Sequence, residues 1–362
     1  MSIINDLRPG ILLNDETVHQ FNKLLKNNVI KFHQVYNLDI EPSEYHFIDF
    51  SLRFNESKKN KQLNKTYYDI ETFVSESGDF TDPIKADHPI NAVALYNNIA
   101  NTVYCLTYLD ELVDTHGLSN DEIIAEVKTQ YEQLCEKDNV YYVDDITIDV
   151  IIFQNEMDLL EKMFLLFREF NTLSLVGFNS SQFDDPYIFN RTSKLFGEDR
   201  MKEIVSEFKT VDKFGQSSYE LPDYVLVDIL KLYKPVGQGG GGLGKALPNY
   251  KLNTVAKKVL GITKLDLNTG FRETYLNNIV GYLSYNIIDT ILTYKLDKKL
   301  QFLEEQFSLS KYNNSSMGAT MSGRSFLYSY RNDHMYSSRD KLIRAKRFNR
   351  EVLYEPKIKT IY

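Results

Sequence analysis

Tryptophan is absent from this chain, cysteine occurs twice and histidine six times. Cys105 and Cys135 stand far apart and cannot build a disulfide framework or a cysteine-rich zinc site, so a reducing compartment is expected. No apolar run approaches the roughly 20 residues that span a bilayer. Residues 1–10 lack the apolar core of a signal peptide. A cytoplasmic protein without a membrane partner is therefore expected. A basic excess is missing too: 42 Lys and Arg face 50 Asp and Glu, for a net charge of −8. That excludes a passive nucleic-acid coat. It leaves room for an enzyme whose carboxylates hold divalent cations, because the bound cations then attract phosphate.

What is present is ordinary globular material, 362 residues with 43% hydrophobic and 25% charged side chains. That length suits one large domain or two of common size. Residues 45–54 read as a strand, residues 57–65 as a polar, basic connector, and residues 66–73 as a strand carrying two carboxylates. Strands follow at 90–96 and 102–108, joined by a connection of hairpin length. Ser119 opens a helix, with Glu122 three residues on as a capping box. Residues 145–153 read as a strand or an extended piece. Asn155 begins a helix with Leu159, Leu160, Met163, Phe164 and Phe167 on one face. Buried strands are predicted at 173–178 and 225–230, and helices at 183–196, 249–260 and 272–302. Residues 308–323 look like a linker, and residues 339–350 carry six Lys or Arg and one acid.

This order predicts an α/β fold whose sheet of about five strands is antiparallel in its first half and parallel later. Three segments bring carboxylates to it. Asp69 and Glu71, two apart on a strand, share a face, and Ile70 points into the core. Asp184 starts a helix after the strand end Gly177-Phe178-Asn179. Asp289 lies four residues after Tyr285 on one helix face. Sites in open α/β sheets collect at strand ends. Four carboxylates converging there suit two hard cations, Mg²⁺ or Mn²⁺. One would activate a water and the other the leaving 3′ oxygen of a phosphodiester. Tyr285 can orient the water or the phosphate. Singly, an Asp-x-Glu also suits a solvated surface, and Asp184 with Asp185 suits any helix N-terminus.

Together the segments resemble the three exonuclease motifs of family B DNA polymerases. The first is Tyr68-Asp69-Ile70-Glu71-Thr72. The second is Gly177-Phe178-Asn179-Ser180-Ser181-Gln182-Phe183-Asp184-Asp185-Pro186-Tyr187. The third is Tyr285-Asn286-Ile287-Ile288-Asp289. The likeness is greatest to the replicative polymerases of T-even-like phages. It extends to His88-Pro89-Ile90-Asn91-Ala92-Val93 and Phe189-Asn190-Arg191, covering about residues 60–305. It implies an RNase H-like (DnaQ-like) fold with a small N-terminal α+β region. It also implies the DEDDy subclass of 3′→5′ proofreading exonucleases, since Tyr285 stands where related enzymes have His. In the implied site Asp69, Glu71 and Asp289 bind the first cation. Asp69 reaches the second, which Asp184 supports through water, and Tyr285 helps place the nucleophile. Asn179 and Phe183 contact the unpaired 3′ end of DNA, and Lys264 falls where the family carries a site lysine.

Other signals are set aside. Residues 239–245 nearly spell a phosphate-binding loop, but Ala246 replaces the hydroxyl that would bind Mg²⁺, so the Gly-rich stretch 237–244 reads as a loop. Residues 231–251 fall where the family carries a hairpin or loop that parts primer from template. His88 and His116 lack ligand spacing. The basic tail is either a DNA footprint or a solvated helix face. The expected organisation is an N-terminal region over 1–62, an exonuclease domain over 63–305, and a linker with a basic segment over 306–362. No palm motif occurs, so a polymerase partner chain or a missing C-terminal half is expected. For a viral source, the location becomes the infected bacterial cell. The alternatives are a structural or DNA-guiding subunit that edits little, and an RNA-degrading relative.

Overall fold

The computed structural model describes residues 63–74, 81–205, 209–213, 216–220, 224–234, 244, 246–262 and 270–313. The expected strand 45–54, the basic tail, Lys264 and the run 237–243 lie outside these residues. Gln62–Phe302 forms one compact unit, and Met1–Lys61 with Leu303–Tyr362 forms another.

The sheet of the first unit has six strands. β1 (Lys65–Thr72), β2 (Ile90–Asn97) and β3 (Thr102–Tyr108) form an antiparallel meander. β4 (Thr147–Phe153) joins β3 in parallel on one side. β5 (Ser174–Gly177) pairs in parallel with β1, and β8 (Val225–Asp228) with β5. The parallel and antiparallel halves fall as the sequence predicts. The predicted strand that begins at 225 extends the sheet past β5 and brings the count to six, against about five expected.

Helices cover both faces. α1 (Asn120–Lys137) begins at Ser119, whose hydroxyl accepts from the Glu122 N–H while the Glu122 carboxylate accepts from the Ser119 N–H, so the capping box forms as read. α2 (Glu156–Glu169) is capped by the Asn155 side chain and buries the predicted Leu159, Leu160, Met163, Phe164 and Phe167. Together with α3 (Asp184–Val205), it covers the face that carries Tyr68 and Ile70. α3 runs beyond the predicted residue 196, with a break at Gly197, whose φ is 72°. The opposite face carries Tyr67, Asp69 and Glu71. There lies α7 (Ile279–Leu300), which packs on β1 and β2 and against α1.

Three expectations are corrected, and one element was not foreseen. The predicted strand 225–230 ends at Asp228, whose side chain caps the short α4 (Ile229–Tyr233). An apolar run interrupted only by Asp228 disguises a strand passing directly into a helix. The predicted helix 272–302 is two helices, α6 (Phe271–Asn277) and α7, divided at Asn278. The Asn278 side chain accepts from the Gly281 N–H and so starts a new helix. A two-stranded ribbon, β6 (Lys209–Lys213) with β7 (Gln216–Glu220), was not predicted, since its polar sequence lacks apolar alternation. Finally, α8 (Phe302–Asn313) occupies the start of the predicted linker. The helix at 249–260 is α5 (Leu252–Leu260), with Leu252, Val255 and Ala256 buried.

One buried ion pair locks this frame. Arg191 on α3 and Glu156 on α2 meet at 2.7 Å, with the guanidinium also donating to the carbonyls of Ala86 and Asp87. Glu156 accepts the Ile90 N–H at 2.7 Å. The segment leading into β2 is thereby tied to two helices at once.

Candidate active site

The strand alternation of β1 places Asp69 and Glu71 on the α7 face, and α7 presents Tyr285, Asn286 and Asp289 to it. One carboxylate oxygen from each of Asp69, Glu71 and Asp289 lies within 4.8 Å of the others. Asp69 and Glu71 are half-buried, and Asp289 is buried. Like charges held this close in low dielectric repel one another, so the cluster is a natural seat for a cation. Its donors are hard oxygens, which fit Mg²⁺, Mn²⁺ or Ca²⁺ rather than a soft ion.

Asp184 arrives from the other side of β1. It is the first residue of α3, and its Oδ1 accepts the backbone N–H of Ile70 at 3.3 Å. Its carboxyl is held well above the usual carboxylate range, first by burial and then by the charges of Asp69 and Asp185. A cation between Asp184 and Asp69 would relieve this repulsion. The neighbouring Asp185 takes a hydrogen bond from the Tyr68 hydroxyl, and burial pushes it up to about 6. Asp185 thus ties the helix start to the core face of β1.

The turn before Asp184 is built to close tolerances. A Cβ on Gly177 would stand 2.4 Å from the Ser180 Cβ, so only glycine lets the chain leave β5 this tightly. Asn179 then takes a left-handed φ of 62°. Asp228 holds this turn, and the sequence reading missed it. Its Oδ1 accepts the Asn179 N–H at 2.9 Å and its Oδ2 accepts the Ser181 hydroxyl at 2.6 Å. The same Oδ1 caps α4. The only signal in the sequence was an acid at the end of an apolar run. Phe183 follows on the turn, half-buried, its ring 5.4 Å from that of Tyr187.

Tyr285 stands beside the cluster with its ring 5.4 Å from the exposed Phe271. Burial, then the negative charges of Asp289, Glu71 and Asp69, push its hydroxyl far up, and it is hydrogen-bonded to Asp289. The structure therefore brings together Asp69, Glu71, Asp289 and Tyr285, sets Asp184 on the Ile70 N–H of β1, and puts Asn179 and Phe183 on the turn leading to Asp184. His88 contributes its carbonyl to the Tyr187 hydroxyl, and His116 sits exposed in a turn.

Residues 16–255, well over half of the chain, match the profile of the exonuclease domain of DNA polymerase family B. The chain is 26% identical over 280 residues to the DNA-directed DNA polymerase of Escherichia phage RB69, a match covering 73% of this chain and 29% of that protein. It is 27% identical over 259 residues to the DNA-directed DNA polymerase of Enterobacteria phage T4, covering 69% and 27%. DNA polymerase 1 of Sulfolobus acidocaldarius is 24% identical over 296 residues, covering 81% and 29%. The chain thus spans less than a third of the length of these relatives.

Proposed function

The chain belongs to the exonuclease-domain family of the family B DNA polymerases, and from that premise we propose that it removes nucleotides in the 3′→5′ direction from single-stranded or frayed DNA ends. The reaction is phosphodiester hydrolysis with two divalent cations, Mg²⁺ or Mn²⁺, and its role is proofreading for a polymerase. The observation that carries this reading is the seat formed by Asp69, Glu71 and Asp289, with Asp184 next to it across β1.

Asp69, Glu71 and Asp289 would hold one cation, and Asp69 with Asp184 the other. The bound cations supply Lewis acidity for an attacking water and for the departing 3′ oxygen. Tyr285 keeps its proton throughout the neutral range, because burial and three carboxylates oppose its ionisation. Its hydroxyl is bonded to Asp289 and would turn that proton to the water or the scissile phosphate once a cation engages the carboxylate. Asn179 and Phe183 would meet the unpaired end, with Lys264 as a further contact. We assign the nuclease to residues 63–305, flanked by an N-terminal region over 1–62 and a segment over 306–362 leading toward a palm domain. The synthetic half lies on the same polypeptide or on a partner chain, in the cytoplasm of an infected bacterium.

The test is digestion of 5′-labelled single-stranded DNA with Mg²⁺. The wild-type protein should produce a ladder shortening from the 3′ end, abolished by EDTA. Asp69→Ala with Glu71→Ala should lower the rate at least about a hundredfold, the scale on which removal of charge-stabilising groups acts. Equal rates in the two proteins would leave only a structural or DNA-guiding role.

A further inference from the structure

Asn286 lies between Tyr285 and Asp289 in sequence and is fully buried. Its Nδ2 donates to Asp69 Oδ2 at 2.8 Å and to the Asp69 carbonyl at 3.3 Å. We propose that Asn286 is a positioning residue that fixes the Asp69 carboxylate for cation binding, an inference that rests on the nuclease reading above.

The chemistry of the contact argues for it. Both Asp69 atoms are acceptors, so only the amide NH₂ can face them and the amide orientation is forced. The Asn286 Oδ1 is then left buried without a partner among the described residues. Packing alone would favour a leucine of similar volume, which has no atom to orphan. The amide suits the carboxylate it touches. Asp69 stands within 4.8 Å of two other carboxylates, and in the absence of a cation their repulsion would swing it away. A carboxylate rotates broadly about its last torsion. Pinning Oδ2 and the backbone carbonyl of the same residue sets the plane in which the carboxylate would meet the ion. The donor is neutral, so the site keeps the full negative charge that attracts a divalent cation. A lysine at this position would cancel part of it.

The pin is one end of a longer clamp. Near the start of β1, Lys65 Nζ meets Asp297 Oδ2 at 2.6 Å, and the Tyr67 hydroxyl donates to the same oxygen at 2.6 Å. β1 and α7 are thereby fastened twice, and Asp69 and Asp289 cannot slide past one another. Asn286 is the fastening that touches a cation-binding carboxylate directly.

Asn286→Leu and Asn286→Ser test this by Mn²⁺ titration, with free ion followed by its paramagnetic resonance signal and folding followed by thermal melting without metal. Both variants should bind Mn²⁺ 10- to 100-fold more weakly, the usual effect of removing a partner of a metal ligand. Asn286→Leu should melt no lower than the wild type. Added Mn²⁺ should restore the nuclease rate of both. Wild-type Mn²⁺ affinity in either folded variant overturns the proposal. Asp69→Ala with Glu71→Ala is the separate arm. If that protein still binds Mn²⁺ and cuts DNA, the nuclease reading fails. If it loses both while the Asn286 variants keep wild-type affinity, only the positioning role fails.

Discussion

Tyr285 illustrates how one side chain is given its task by its surroundings. Its hydroxyl is buried beside three carboxylates, so it holds its proton and donates rather than ionises. Tyr285→Phe should therefore leave melting nearly unchanged and lower the DNA hydrolysis rate by about ten- to a hundredfold, the range of a single positioned proton-bearing group; a rate equal to the wild type would remove it from the reaction. The placement of this residue and the four carboxylates was legible in the sequence because alternate strand positions, a helix start and a shared helix face are local patterns. Asp228 and Asn286 were not. Neither touches the cluster as a ligand of recognisable spacing, and each acquires its role from a partner brought close only by folding, Asn179 for one and Asp69 for the other.

At the scale of elements, the best-read helices are those whose caps are local. Ser119 with Glu122 and Asn155 with Asp158 satisfy backbone donors within a few residues, so the pattern is written in adjacent positions. The Asn278 cap was missed because α7 is apolar on nearly every side, and no change of period marks its start. A Cβ on Gly281 would lie 2.4 Å from the Asn278 amide nitrogen. Gly281→Ala should displace that side chain and cost about 1 kcal/mol, the worth of a typical N-cap, measurable by denaturant unfolding. The join between α2 and α3 is much stronger. Arg191→Ala would strand Glu156 in the interior, and stability should fall by roughly 3–5 kcal/mol. The DNA hydrolysis rate per folded molecule should hold, since Arg191 acts on the frame and not on the carboxylate seat. A loss below about 1 kcal/mol would show the pair to be solvated.

For the molecule as a whole, the lack of tryptophan is offset by 25 tyrosines, several of them wholly buried. Burial pushes Tyr187 and Tyr275 up to about 12, and Tyr68 and Tyr282 well above the usual phenol range. It also pushes the Cys105 thiol up to about 12. Each of these groups is neutral in both states at low pH, so its contribution is fully present below its unfolded pKa. Above that value the unfolded chain ionises while the folded one cannot, and stability is lost as pH climbs toward the folded value. Melting temperature should therefore fall steadily between about pH 9 and pH 11, with Cys105 alone contributing roughly 3 kcal/mol of the loss. Cys105→Ala should make that decline shallower; an unchanged slope would mean the thiol is not shielded. The sheet itself was foreseen down to the change from antiparallel to parallel pairing. The polar ribbon β6–β7 was not, because nothing in its composition separates it from a loop.

The two halves of the carboxylate seat come from opposite ends of the unit: Asn286 and Asp69 are 217 residues apart. A ribosome adding about 5–20 residues per second needs roughly ten to forty seconds to cover that interval. Throughout that time the emerging polypeptide carries Asp69 and Glu71 without Asp289 or the amide that steadies them. Translation itself therefore sets a delay before the carboxylate seat can be complete, and any product released before α7 is made lacks both Asp289 and the amide.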